Sequence, residues 1–260
     1  MSEAHAKPTA AVVVPCLNEE ESIPGLVADV RAVGDDPMLP VVIAAIYVVD
    51  NGSTDATAEQ AAAAGAVVVS EPRRGYGRAC LSGVLAAGEV DLIVLMDGDR
   101  ADKPDELPRL LAPLLAGEAD LIIGSRRLGS YEKGSLQPQQ IFGNWLAATL
   151  LRLRYGVRVT DIGPFRVIRR DTLLGLGMRE MTYGWSVEMI ARAARLGLTV
   201  REVPVSYRNR AGGVSKVSGN LRASMRAGTR IIGAIWRAGR DTGPLPQDEG
   251  AAPVPAELRP

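Results

Sequence analysis

The sequence predicts an α/β chain built on a mostly parallel sheet with helices on both faces. Three observations carry this. Ala10–Val14, Ile43–Val49, Leu92–Met96 and Leu121–Ile123 are near-continuous apolar runs, and strands covered on both faces read this way rather than alternating. Segments of helical character separate these runs, as crossover connections between parallel strands require. Acidic and turn residues cluster just after the runs, at the strand ends where open α/β sheets bind ligands.

In chain order, the strand Ala10–Val14 precedes a helix from about Glu19 to Val33. Ile43–Val49 is a strand, and a helix opens near Ser53-Thr54-Asp55 and runs through the Ala-rich Ala56–Ala64. Val67–Val69 is a short strand, followed by a helix from about Tyr76 to Ala87. Leu92–Met96 is a strand, and Pro104 sits where a first-turn proline belongs in a helix reaching about Leu115. Leu121–Ile123 is a strand, Gln139–Leu153 a helix and Gly163–Ile168 a strand. Val187–Leu196 is helical, Thr199–Val205 a strand, and a last helix spans about Gly219 to Arg237. The simplest organisation is one domain over 1–240, with a nucleotide-binding half (8–124), an acceptor-binding half (125–217), an amphipathic helix (218–240) and a disordered tail (241–260).

At 47% hydrophobic and 23% charged over 260 residues, the composition is that of a globular chain. Thirty Lys+Arg balance thirty Asp+Glu, so net charge names no partner. Cys16 and Cys80 form no spaced framework, which suits a reducing cytosol without structural zinc. The single histidine, His5, lies in a polar N-terminal arm, which argues against histidine catalysis. No basic n-region precedes an apolar core at the start. No apolar stretch approaches the ~18–20 residues of a membrane span, so a soluble or peripheral protein is expected.

Asp97-Gly98-Asp99 follows the strand ending at Met96. Two carboxylates one residue apart at a strand end suit Mg²⁺ or Mn²⁺, hard cations normally shared with substrate phosphates. An ordinary acidic strand-to-helix turn is the plainer reading of the same residues. Asp50 ends the second strand, where a carboxylate can accept hydrogen bonds from a base or ribose. Ser53, Thr54 and Asp55 are well explained as helix caps and Asn51-Gly52 as a turn. Gly75-Tyr76-Gly77 opens a helix, a geometry that favours phosphate or simply serves the loop.

Together these pieces resemble the family 2 glycosyltransferases of the GT-A fold. The matching marks are P-x-x-N-E (Pro15, Asn18, Glu19), V-D-x-G-S-T-D (Val49–Asp55), G-x-G-x-A (Gly75–Ala79) and D-x-D (Asp97, Asp99). Within the family the chain looks most like the polyprenyl- or dolichyl-phosphate mannose and glucose synthases. That narrower likeness continues through Gly124-Ser125-Arg126, Thr160–Arg166, Trp185–Met189 and Tyr207-Arg208…Gly213-Val214-Ser215-Lys216. The resemblance implies that a sugar nucleotide, GDP-mannose or UDP-glucose, lies across the carboxyl edge of the sheet. Pro15, Asn18, Glu19 and Asp50 would line the nucleoside pocket, with Gly75 and Gly77 at the donor. Asp97 and Asp99 would hold Mg²⁺ or Mn²⁺ on the diphosphate, and the hexose would pass with inversion to a polyprenyl phosphate.

Two positions depart from the pattern. Ala101 stands where D-x-D-x-Q-H-P-P-E has glutamine, so the metal has only the two aspartates plus phosphate and water oxygens, or Asp102 contributes. Asn51 replaces the aspartate common in D-D-G-S-T-D. Q-x-x-R-W is absent, against polymer synthesis. A phosphate monoester is largely anionic near neutral pH, so the chemistry asks for alignment and leaving-group stabilisation more than for a base. That predicts cations near the acceptor: Arg126 and Lys216 first, then Arg127 and Arg166, with Glu188 orienting one of them or forming a structural pair. Trp185 is expected in the core.

From Pro204 to Arg240 the chain has eight cations and no acid, with Arg222, Arg226 and Arg230 at helical spacing. A basic amphipathic helix reads as binding an anionic membrane surface, or as a helix packed on the core with its charges in water. Too few aromatics accompany it for nucleic acid. The expectation is a glycosyltransferase peripheral on the cytoplasmic face of a membrane. The alternatives are a related transferase with a non-polyprenyl acceptor and a non-catalytic sugar-nucleotide-binding subunit.

Overall fold

The computed structural model describes residues 6–212 and 232–238. Lys216, Arg222, Arg226, Arg230 and the 241–260 tail lie outside the described residues.

Seven strands form one sheet in the order β3-β2-β1-β4-β6-β5-β7. They are β1 (Thr9–Cys16), β2 (Val42–Asp50), β3 (Val67–Ser70), β4 (Leu92–Leu95), β5 (Leu121–Tyr131), β6 (Arg166–Arg169) and β7 (Val200–Tyr207). The helices are α1 (Ile23–Gly34), α2 (Thr57–Ala63), α3 (Tyr76–Ala86), α4 (Leu107–Leu115), α5 (Pro138–Tyr155), α6 (Arg170–Gly175) and α7 (Trp185–Arg195). Residues 232–238 form a last helix, α8.

β1 pairs in parallel with β2 and β4, β2 with β3, and β5 with β7. β6 runs antiparallel to both β4 and β5. The apolar runs are continuous because the sheet is covered twice. Ala11, Val13, Ile93 and Leu95 face one core with α3, α5 and α7, while Ala10, Val12, Val14, Leu92 and Val94 face the other with α1 and α4. Burying each such valine or leucine contributes about 1.5–3 kcal/mol. α3 lies so close to the sheet that a Cβ on Gly83 would stand 2.4 Å from the Val13 side chain.

Three sequence expectations shift. α1 starts at Ile23, not Glu19, because the 19–20 backbone is committed elsewhere: Glu19 N–H donates to Thr57 Oγ1 (2.8 Å) and Glu20 N–H to Asp55 Oδ2 (3.2 Å). α2 starts at Thr57; Ser53 and Thr54 serve Asn18 instead, and only Asp55 folds back, on Thr57 N–H at 3.0 Å. β6 is confined to Arg166–Arg169: Pro164 has no N–H to give a ladder, and the Gly163 carbonyl accepts instead from Arg166 Nε at 2.8 Å. Trp185 is 1% exposed, in the core as expected.

Candidate active site

The carboxyl ends of β1, β2 and β4 open into a cleft of about 490 Å³. Pro15, Glu19, Asn51, Gly75, Tyr76, Asp97, Asp99, Arg126 and Arg210 contribute to its wall. Asp97 and Asp99 sit just beyond β4. Gly98 between them has no room for a side chain, because a Cβ would lie 2.5 Å from Cys16 Sγ. Its carbonyl accepts from Ser22 Oγ at 2.8 Å. Tyr76, the first residue of α3, donates its hydroxyl to Asp97 Oδ1 at 3.1 Å. Burial, and then the charge of Asp99, push Asp97 up to about 7. Asp99 is 1% exposed; Oδ1 accepts from Ala101 N–H at 3.0 Å. Asp99 Oδ2 makes no hydrogen bond of good geometry but faces the Arg210 guanidinium at 3.0 Å.

Arg210 arrives by backbone pairing. Beyond β7 the chain runs beside the acidic loop, with Arg208 N–H donating to the Ala101 carbonyl (2.9 Å) and Ala211 N–H to that of Asp99 (3.2 Å). This places Arg210 between Asp99 and Glu19, the latter at 3.6 Å. In the sequence it is one member of the basic run. Its signal was position: it falls between two matched segments, Tyr207-Arg208 and Gly213–Lys216.

The P-x-x-N-E and V-D-x-G-S-T-D residues mainly brace one another. Asn18, at φ 52°, is a left-handed position that asparagine tolerates. Its N–H donates to Ser53 Oγ (2.9 Å) and its Oδ1 accepts from Thr54 N–H (2.8 Å). Asp50 Oδ1 accepts from Ser53 N–H at 2.9 Å. Asn51 explains its own departure from aspartate. Its Nδ2 donates to the Glu71 and Arg73 carbonyls (2.8 and 2.9 Å) while Oδ1 accepts from Gly75 N–H (2.8 Å). An ionised aspartate has no hydrogen to give those carbonyls.

Gly75 and Gly77 answer first to packing. Cβ atoms there would lie 2.2 Å from the Met181 carbonyl and 2.3 Å from that of Glu180, and Gly75 has φ +150°. Arg78 N–H, in the first turn of α3, donates to the Met181 carbonyl at 3.1 Å. Gly75 lines the cleft and Gly77 lies within α3 against Trp185.

Across the cleft, five steps along β5, Ser125 to Ser130, face two along β7, Pro204 to Ser206. The excess bulges out and carries Arg126. Asp161 grips its guanidinium at Nε (2.6 Å) and Nη2 (2.8 Å), and the Tyr207 ring lies 4.9 Å beneath. Asn144 of α5 donates to Asp161 Oδ1 at 2.6 Å. Glu202 accepts from the N–H groups of Thr160 and Asp161 (2.8 and 2.9 Å). Arg126 is thus a held cation at the cleft wall.

The other candidates divide. Arg127 is exposed. Arg166 is 1% exposed and donates to the Gly163 and Ser186 carbonyls (2.8 and 2.7 Å); burial lowers it to about 10. Glu188 pairs with Arg192 on its own helix (2.8 Å) and accepts from the Arg179 and Glu180 N–H groups (2.9 and 2.7 Å), the structural pair of the two readings. Asp102 is 1% exposed, and neither carboxylate oxygen finds a hydrogen-bond partner of good geometry. Burial, then Asp97 and Asp99, raise it well above the ordinary carboxylate range.

Carboxylates and held cations thus line a cleft at the carboxyl edge of the sheet, the place where open α/β sheets bind ligands. The chain belongs to Glycosyl transferase family 2, whose profile matches residues 11–176. It is 44% identical over 218 residues to an uncharacterized glycosyltransferase of Mycobacterium tuberculosis, covering 83% of this chain and 93% of that protein. It is 32% identical over 222 residues to the undecaprenyl-phosphate mannosyltransferase of Micrococcus luteus, covering 80% of this chain and 87% of that one. Glucosyl-3-phosphoglycerate synthase from Mycobacterium tuberculosis, in complex with Mn²⁺ and UDP-glucose, superposes with a TM-score of 0.67 at 27% identity. That match covers 93% of this chain and 81% of the synthase. The fold is therefore GT-A and the chain a glycosyltransferase. No helix among the described residues is long and apolar enough to cross a membrane.

Proposed function

We propose that the chain moves mannose or glucose from a sugar nucleotide to a polyprenyl phosphate, with inversion and with a divalent metal. The observation that carries this reading is the single cleft in which Asp97 and Asp99 face Arg126 and Arg210. Carboxylates suit the metal of a nucleotide diphosphate, and fixed guanidinium groups suit phosphate oxygens. The likeness to the Micrococcus enzyme supports the lipid acceptor.

A metal fits the donor set. Asp99 Oδ2 is buried and answered only by a cation, and both carboxylates are hard oxygen donors. Among the described residues no three His, Cys, Asp or Glu side chains form a ready cage. Asp97 and Asp99 would hold Mg²⁺ or Mn²⁺, with diphosphate and water oxygens completing its shell. Bound there, the ion would supply positive charge to the departing diphosphate. Pro15, Glu19 and Asn51 would border the nucleoside, Asn18 and Asp50 fixing the loops around it. Arg126 would orient the acceptor phosphate, one of whose oxygens bonds to the anomeric carbon as the bond to the diphosphate breaks and its electron pair leaves with the nucleotide. No protein base is required, because the nucleophile is already anionic. Lys216 would add a further acceptor cation. The basic run beyond Pro204 would hold the enzyme to the cytoplasmic face of a membrane.

A soluble phosphorylated acceptor is the second reading. Gln137, Gln140 and Asn144 make the α5 wall of the cleft polar, and the protein superposed above is a glucosyl-3-phosphoglycerate synthase. GDP-mannose and UDP-glucose, each with Mg²⁺ or Mn²⁺, offered with a polyprenyl phosphate or with phosphoglycerate, decide between them. Nucleotide diphosphate released only with the lipid supports the first reading. Release with phosphoglycerate alone replaces it with the second, and release with neither overturns both.

A further inference from the structure

α5 is apolar on two opposite faces. Ala147, Ala148 and Leu151 are buried in the core, whereas Phe142, Trp145 and Leu153 are 61%, 52% and 78% exposed. The exposed set recurs at three- to four-residue steps through Thr149, so it forms one stripe along the helix. The Phe142 and Trp145 rings pack with centroids 5.7 Å apart and planes tilted by 36°. The helix is well built at both ends, with a Gln137–Gln140 capping box and Gly156 at φ 71°, so the stripe is a fixed surface. Solvated helices normally turn charged residues outward; a large aromatic pair and a leucine in that place call for a partner.

The charges beside the stripe select the partner. Arg152, Arg154 and Arg158 are exposed, and no acid occurs between Glu132 and Asp161. Arg154 also lies over the ring of Trp236 on α8 at 5.8 Å, and Trp236 is itself exposed. Aromatic side chains flanked by arginines match the acyl–headgroup boundary of an anionic bilayer, where the rings enter the interface and the guanidinium groups meet lipid phosphates. The opposite face of the same helix, through Gln140, Asn144 and Ala147, lines the cleft. We propose that the Phe142–Trp145–Leu153 face of α5 docks on an anionic membrane, which leaves the cleft on the far side of that helix, about one helix diameter (~10–12 Å) from the lipid surface. Vesicle binding without nucleotide tests it apart from the identity of the acceptor.

The test uses the full chain and phosphatidylcholine vesicles with or without phosphatidylglycerol. In Trp236→Phe, Trp185 is buried and Trp145 is the exposed indole. Its emission is expected to shift to the blue on anionic vesicles and to be quenched by brominated acyl chains. The pair Phe142→Ser and Trp145→Ser should lower vesicle partitioning about tenfold or more with an unchanged circular-dichroism melt, since interfacial binding scales with buried apolar area. Unquenched Trp145 emission overturns the proposal, as does a double variant that binds like the wild type. A vesicle-free dimer that the double variant breaks also overturns it and makes the face a self-interface. Should the double variant fail to fold, the quenching result on Trp236→Phe decides alone.

Discussion

Asp99 is the residue on which the metal reading can be broken most directly. Asp99→Asn keeps the shape and removes the charge that answers Arg210. Transfer is expected to fall by about 10²–10³, the usual cost of losing one electrostatic contact to developing charge. Activity within threefold of wild type at saturating metal, as an order-of-magnitude bound, would take Asp99 out of the site. Arg210 makes a different prediction. A guanidinium 3.0 Å from Asp99 Oδ2 occupies ground that a cation on Asp99 would need. Arg210→Met should therefore bind Mn²⁺ several-fold more tightly without nucleotide, read by electron paramagnetic resonance, while transfer falls. Weaker Mn²⁺ binding would show that Arg210 organises the carboxylates rather than competing for them. Asp102 gives a pH signature. Burial first, and Asp97 and Asp99 next, raise it well above its ordinary value. The folded chain keeps that proton after the unfolded chain has released it, so stability is lost as pH climbs above the unfolded value. Asp102→Asn should match wild type in acid and gain on it by up to ~1.4 kcal/mol per pH unit above about pH 4, until Asp102 ionises in the fold. Urea melts at three pH values measure this, and a pH-independent difference contradicts it.

At the scale of elements, the loops after β1, β2 and β3 are one cross-braced unit with Asn51 at its centre. Asn51→Asp leaves the Glu71 and Arg73 carbonyls without their donor, at about 1–3 kcal/mol for each buried unsatisfied group. The melting temperature should fall, and sugar-nucleotide affinity with it, by calorimetry; an unchanged melt would mean the tether is dispensable. The apolar runs made β1, β2, β4 and β5 legible in the sequence, because a strand covered on both faces has one signature. The acidic pair was legible for the same reason, being anchored to the end of such a run. Helix starts were less so. Ser53 and Thr54 have the chemistry of caps, yet their partners lie some thirty-five residues back, at Asn18. Asn18 and the two glycines carried the right motif, but their contacts are to neighbouring loops, which no local pattern reveals. Arg210 was hidden because its place depends on backbone pairing between segments more than a hundred residues apart.

Over the whole molecule, the sheet consists of two parallel groups, β3-β2-β1-β4 and β5-β7, with the inverted strand β6 between them. That arrangement has a consequence for the order in which the chain is made. The first group has all its members by the time β4 leaves the ribosome, and it can pair as it emerges. β5 comes next and has no neighbour: both of its partners, β6 and β7, are synthesised later. Until then α4 can cover Ile122, but the backbone of Leu121–Ile123 has no ladder partner, the kind of open edge that exposes nascent chains to aggregation. Translation stalled between α5 and β6 should leave a chain with a protected amino-terminal half and a sticky end, visible as protease resistance that stops short of β5. Once Arg166–Arg169 pairs between β4 and β5, the first group is latched to β5, and β7 can then close the second.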